Sequence, residues 1–272
     1  MSSRPEFVRL GHGTSLREAF TIQCRVVGAL LMRELHTRYG RENIGYLWMI
    51  LEPGLLAAAV AAIHGVGPNH FGSGIMPVPY AICGYGVFII FRGIFTRAEG
   101  TLESNRPLLY HRMVTIFDMM VSRALLESAG VGMTIAILLL MANIFGLSLP
   151  PARPLWMLLG IAYMVWLSLA MSLICCAITH DNRLVARLIH PATYLLMPIA
   201  GTFFLMKWIP QPYRDWLSYL PFTHIFEMVR YGMFENLDLE NVDLLYLTAS
   251  CLELSVIGMI SIKIVRKHVH LS

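Results

Sequence analysis

Two side chains that can do chemistry stand in this sequence where their surroundings disfavour them. Glu52, followed by Pro53, lies inside the run IGYLWMILEPGLLAAAVAAIHG, and Arg92 lies inside AICGYGVFIIFRGIFT. In an apolar element a charge costs a few kcal/mol or more unless it is paired or hydrated, so it normally faces protein or a water-filled path. Pro53 removes a helical hydrogen bond and crowds the preceding turn, which predicts a kink beside Glu52. The chemistry on offer is ion pairing or recognition of a charged group. Bond making is not nominated: G-x-x-x-x-G-K-[ST], H-E-x-x-H, C-x-x-C and G-x-S-x-G are all absent. The ten histidines are scattered, and a lone His64 or His180 suits a structural role better than a metal site.

The elements that must position these residues follow from composition. The 272 residues are 56% hydrophobic and 14% charged, with a mean hydropathy of +0.61, whereas soluble domains carry about 25% charged residues. This is the composition of an all-α integral membrane protein. Apolar runs of about the 17 to 25 residues that cross a bilayer recur. They predict six transmembrane helices at about 44–66, 79–97, 115–145, 154–179, 188–208 and 242–263, the third long enough to project from the bilayer. Residues 1–43 then form an N-terminal cytoplasmic segment and 44–272 the six-span transmembrane domain. Five cysteines, odd in number and mostly in apolar segments, read as small hydrophobes.

Before the first expected span, Ser15 and Glu18 have the spacing of a capping box. Leu16, Phe20, Val27, Leu30 and Leu31 then share a helical face, with Glu18, Arg25 and Arg33 roughly opposite. That pattern suits an amphipathic helix on the membrane surface or a helix packed on protein. The first twenty residues lack the apolar core of a signal peptide, so the N-terminus is expected in the cytoplasm. Arginines crowd before span one and are absent from the loop after it, and the alternation continues to Lys263, Arg266 and Lys267, broken by Arg214 and Arg230 in the connection 209–241, whose length makes charge bias weakly predictive there; this predicts both termini inside. The stretch near 209–232 is too short to cross and too apolar for a free loop, and predicts a re-entrant helical pair on the outer side. Phe204, Trp208, Tyr213, Trp216 and Tyr219 make this region the most aromatic of the chain. No internal repeat of the kind built into many secondary transporters is evident.

The ordered set RELHTRYGRENIGYLWMILEP, N-R-P-L-L at Asn105 to Leu109, Asp181 in the fourth connection, and a terminal I-P, L-P and H-I-F-E-M-V-R block resembles the membrane subunit of type-two ABC exporters of polysaccharides. The closest likeness is to the Kps-like capsular polysaccharide permeases of Gram-negative bacteria, with O-antigen permeases next. The likeness covers nearly the whole chain, and it departs at Leu220-Pro221, where relatives often carry Asn-Pro. It implies a multi-pass protein of the bacterial inner membrane, working as a homodimer above two separate ABC ATPase subunits. ATP and Mg would sit on those partners, with no cofactor or metal in this chain and no nucleic-acid partner. The cargo would be an anionic, lipid-linked polysaccharide, received by a periplasmic co-polymerase.

The resemblance also assigns residues. A coupling helix near 99–112 would seat on the ATPase through Glu103, Asn105, Arg106 and Arg112, with a smaller contact at Asp181 and Arg183; a solvated loop is the plain alternative. Arg33, Arg38, Glu52, Arg92 and Arg97 would line the substrate path, unless Glu52 and Arg92 only pair to fix helix packing. The outer aromatics would gate a sugar path or anchor the chain at headgroup depth. Two other classes stand beside this one. A secondary transporter needs a relay, for which Glu253 is the only midplane carboxylate, and an intramembrane lipid-sugar transferase needs clustered polar residues.

Overall fold

The computed structural model describes residues 16–39, 74–105 and 114–269, with isolated positions between 51 and 62. The first expected span, with Glu52 and Pro53, lies outside the described residues, as do Arg106 and Arg112 and the capping-box Ser15. Among the described residues every regular element is helical.

Helix α1 (Leu16–Tyr39) precedes α2 (Pro77–Thr96), which starts on a proline whose missing N–H costs nothing in the first turn. After a turn, the one-turn α3 (Thr101–Ser104) leads towards α4 (Ile116–Ile144). The start of α4 is fixed by a capping box: the Asp118 amide donates to the Thr115 hydroxyl at 3.2 Å, and the Thr115 amide donates to the Asp118 carboxylate at 2.9 Å. Helix α5 (Pro154–Asp181) again opens on proline. Only Asn182 separates it from α6 (Arg183–Ile199), and the Asn182 side chain accepts from the amides of Leu184 and Val185. A short 3-10 turn (Met206–Trp208), α7 (Tyr213–Ser218), α8 (Pro221–Met233) and α9 (Leu244–Val269) complete the chain.

Four of these helices, α2, α4, α5 and α9, are long and apolar enough to cross a membrane. They fall on the second, third, fourth and sixth expected spans. At 1.5 Å per residue the 29 residues of α4 extend ~43 Å, well beyond a ~30 Å hydrocarbon core, so this helix is long enough to project from it. The fifth expected span, 188–208, differs. Its helix starts earlier and stops at Ile199, leaving an apolar stretch of 16 residues, Leu184–Ile199. The chain departs from the helix after Ile199 because Gly201 adopts φ +100° and the carbonyls that follow are taken by a side chain of α8. Between α6 and α9, the expected helical pair is α7 and α8.

Helix α5 is the centre of the bundle, packed by α9, α8 and α2. Close approach depends on small residues, as is usual where helices pack without a hydrophobic driving force between them. A Cβ on Gly160 of α5 would stand 2.6 Å from the Val229 side chain of α8. One apolar core joins Phe88, Phe91, Met164, Leu167, Ile225 and Phe226; another, at the other end, joins Leu30, Leu102, Met119 and Cys176. Helix α1 docks on α4 through this second core: Leu30 is buried, Val27 and Leu31 are half-buried, and Phe20 is exposed. The cysteines are unpaired and, apart from Cys24, buried, consistent with their reading as small hydrophobes.

Candidate functional site

Where α1, α3 and α4 meet, the polar groups are arranged as one cluster. The Arg33 guanidinium donates to the Asn105 side chain at 2.7 Å, and Asn105, buried, donates to the Thr101 carbonyl at 3.0 Å. From α4, Arg123 pairs with Glu34 of α1 at 3.2 Å, donates to the Thr101 hydroxyl at 2.6 Å and reaches the Arg97 carbonyl at 3.3 Å. Gln23 of α1 donates to the Asp118 carboxylate at the start of α4. The one-turn α3 is therefore held from two sides, by Arg33 and by Arg123. A helix this short has no stability of its own, so its position is set by these bonds and by burial of Leu102.

Alongside α3 lies a cavity of about 250 Å³ between Glu99, Leu102, Cys176, Thr179 and Arg187. It brings together the two stretches the sequence nominates separately, the segment after Arg97 and the junction of α5 and α6. Glu99 stands 3.7 Å from the ring of His190 on α6. The backbones of Glu103, Asp181 and Arg183 lie in α3, α5 and α6 respectively, and that of Arg38 in α1; their side chains lie outside the described residues.

Arg33, Arg92 and Arg97, of the nominated path cations, have partners. Arg97 pairs with Glu127 of α4 at 2.9 Å, and the carboxylate side chain is 10% exposed. Arg92 lies 3.9 Å over the ring of Tyr194 on α6 and donates to its hydroxyl. Tyr194 itself is exposed, along an α6 face that also exposes Leu188, Leu195 and Ile199. Glu253 is exposed on α9 and has no ion-pair partner among the described residues.

The opposite end of the bundle is organised by three residues that sequence reasoning passed over. His224, Glu227 and Arg230 stand at three-residue spacing in α8 and are all buried. The Arg230 guanidinium, 1% exposed, donates to the carbonyls of Thr202 (2.6 Å) and Phe204 and lies 4.3 Å over the Tyr80 ring. A Cβ at Gly84 would collide with the Thr202 carbonyl, so glycine there admits the stretch to the side of α2. Glu227 accepts from the Met206 amide at 2.9 Å. His224 donates from Nε2 to the Ser218 carbonyl at 2.8 Å, and its Nδ1 lies 3.2 Å from the Asp243 amide. These bonds satisfy backbone groups that no helix pairs. The available signal was the H-I-F-E-M-V-R spacing, which places three polar residues on one face of an apolar helix.

Of the nominated aromatics, Trp208 is exposed on one side while its ring stands 5.6 Å from that of Tyr80, and Phe204 is half-buried with its carbonyl held by Arg230. Tyr213, Trp216 and Tyr219, on and beside α7, are 66, 74 and 72% exposed. No group of three or more metal-ligating side chains occurs among the described residues. The arrangement holds charges and exposes aromatics at opposite ends of a helical bundle, which suits movement and recognition.

A family model described as the ABC-2 type transporter matches residues 25–234. The chain is 35% identical over 225 residues to the capsule polysaccharide export inner-membrane protein CtrC of Neisseria meningitidis serogroup B, covering 82% of this chain and 84% of that one. It is 30% identical over 256 residues to the capsule polysaccharide export inner-membrane protein BexB of Haemophilus influenzae, covering 94 and 97%. The polysialic acid transport protein KpsM of Escherichia coli is 28% identical over 243 residues, covering 89 and 94%.

Proposed function

The chain belongs to the ABC-2 type transporter family, and from that premise we propose that it is the inner-membrane permease of an ATP-driven exporter of lipid-linked, anionic capsular polysaccharide. The observation that carries this reading is the similarity to capsule export proteins along nearly the whole length of both partners. ATP hydrolysis takes place on two partner ATPase subunits, and this chain converts their closure into movement of its spans.

The cluster on α1, α3 and α4 is the transmission element. Seated beneath the bundle, the ATPase pushes on the segment near 99–112, where Glu103, Arg106 and Arg112 meet it while the buried Asn105 ties the segment to α1, and on the junction at Asp181 and Arg183. Because Arg33 and Arg123 tie α3 to α1 and α4, displacement of this segment moves both helices. Two copies form the working permease, and the exposed apolar face of α6 supports placing the second copy there. With six spans, α7 and α8 as a re-entrant pair and both termini inside, Arg38, Glu52, Arg92 and Arg97 lie on the entry side and meet the anionic headgroup and acidic sugars. Attraction of about 1 kcal/mol per cation near an anionic surface is enough to concentrate such a lipid. The aromatics of α7 meet the polymer on the outer side, where a periplasmic co-polymerase receives it.

The test is loss and restoration of export. Removing the gene should leave polysaccharide accumulating inside the cell with none at the surface, and the chain should restore export only together with a hydrolysing ATPase partner. Normal capsule with loss of lipopolysaccharide O-antigen would move the assignment to the related O-antigen class.

A further inference from the structure

Where α4 begins and α9 nears its end, α4, α5 and α9 enclose a groove of about 240 Å³. Its floor is Ile116 and Leu173, both buried, and Phe117, Met259 and Ile262 line it, with Phe117 and Met259 exposed. The polar groups of the lining are Thr115 and Lys263. Thr115 is committed to the α4 cap, its hydroxyl donating to Asp118 at 2.7 Å. Lys263 is exposed and has no ion-pair partner among the described residues. The groove thus offers an apolar channel with one uncommitted ammonium beside it. Arg266 and Lys267 follow in the sequence.

An occupant must fill the channel with hydrocarbon and meet the ammonium with a negative charge. A small anion satisfies only the second need and a zwitterionic lipid only the first in full. A lysine beside an apolar groove lays its stem along the hydrocarbon and keeps its charge at headgroup depth, where cytoplasmic anionic lipid is found. We propose that this groove binds an anionic phospholipid of the surrounding membrane, one acyl chain lying along Ile116, Leu173 and Met259 and the phosphate pairing with Lys263. The site is separate from Arg92 and Arg97, whose described partners lie on α6 and α4. Since α9 packs chiefly on α5, such a lipid fills the gap between α9 and the α4 start. The assignment rests on the cytoplasmic placement of these helix ends proposed above.

The experiment uses the permease purified with its ATPase partner, with thermal unfolding and native mass spectrometry as readouts. Phosphatidylglycerol should raise the unfolding temperature and stay bound, whereas phosphatidylcholine and inorganic phosphate should do neither. Lys263→Gln should weaken phosphatidylglycerol retention about fivefold, one cation's share near an anionic surface, and Lys263→Arg should preserve it. Met259→Trp, which fills the channel, should abolish the gain while leaving the lipid-free unfolding temperature near wild type. Equal responses to the two lipids, or an unaltered response in Lys263→Gln, would reduce the groove to ordinary annular lipid and overturn the proposal. Protease access to a C-terminal tag in spheroplasts reports orientation independently. A tag cleaved from outside sinks the topology, while the response of the purified protein still decides the groove.

Discussion

Arg123 of α4 and Glu34 of α1 stand 3.2 Å apart, and the same guanidinium holds the Thr101 hydroxyl of α3 at 2.6 Å. One residue thereby joins three helices at the end of the bundle where the ATPase is proposed to sit. Both partners of the pair are largely shielded, with side chains 16 and 15% exposed. Hydrogen bonds to charged groups contribute about 1.5–3 kcal/mol. Arg123→Gln should therefore weaken co-purification of the ATPase severalfold while the permease still inserts, and Arg123→Lys should be intermediate because it lacks the fork that serves both partners. Wild-type association in Arg123→Gln would detach this cluster from coupling.

The Arg97–Glu127 pair separates packing from transport. Breaking a buried pair costs about 3–5 kcal/mol, and removing both partners is often close to neutral; with Arg97 41% exposed, the cost here falls below that range. Glu127→Gln and Arg97→Gln should each lower folded protein, and the double variant should regain abundance. If Arg97 meets the substrate, export stays low in the double variant, as cell-surface polysaccharide measured per unit of permease will report. Full recovery of export would leave the pair a packing device.

What was legible in the sequence follows from what each signal depends on. Helices α2, α4, α5 and α9 declared themselves through length and uninterrupted apolar content, which need no tertiary information. Arg92 was conspicuous because it interrupts such a run, and its partner Tyr194 was not, since a tyrosine in an apolar helix signals nothing. Glu34, Arg123 and Glu127 were missed for a related reason: their pairing depends on the mutual register of three helices. Helix α6, on the fifth expected span, ended earlier than its hydropathy suggested because Arg230, in another element, takes the carbonyls of Thr202 and Phe204. That competition between a side chain and a helix is invisible to a sliding window.

Arg230 makes the next case. Two carbonyls and a ring surround its guanidinium, and a lysine, with one compact charge, cannot serve two carbonyls in the same planar geometry. A buried carbonyl left unpaired costs about 1–3 kcal/mol. Arg230→Lys and Arg230→Met should both reduce the monodisperse fraction in detergent and shift the fluorescence of Trp208, which follows the same stretch. Retention of both properties in Arg230→Met would show that burial of Tyr80 and Phe226 alone holds the segment.

The Arg92–Tyr194 stack is expected to matter for export more than for folding. An accessible cation over a ring contributes about 0.5–1 kcal/mol, too little to unfold a helical bundle. Arg92→Gln should therefore reduce surface polysaccharide at near-normal permease level, and Arg92→Lys should retain most export. Wild-type export in Arg92→Gln would identify Arg92 as a side chain reaching for the headgroups.

The outer aromatics divide by contact with the bundle, and the division predicts different failures. Trp208 lies against the buried Tyr80 ring but is itself 39% exposed, so truncating it costs less than the about 3–5 kcal/mol of a fully buried aromatic, and Trp208→Ala should lower permease abundance and export together by a modest amount. Trp216 and Tyr219 are mostly exposed, and the Tyr219 contact to Tyr246 uses its backbone carbonyl, which substitution preserves. Trp216→Ala and Tyr219→Ala should thus leave abundance unchanged while reducing export rate, because an aromatic face that meets the C–H face of a sugar is lost. Trp216→Phe should keep export, since the stacking face remains. Rings that serve only as headgroup anchors lead to the opposite result: alanine lowers abundance and export in proportion. Measuring permease level and surface polysaccharide in the same cells separates the two, and a proportional loss in Trp216→Ala would end the gating role of α7.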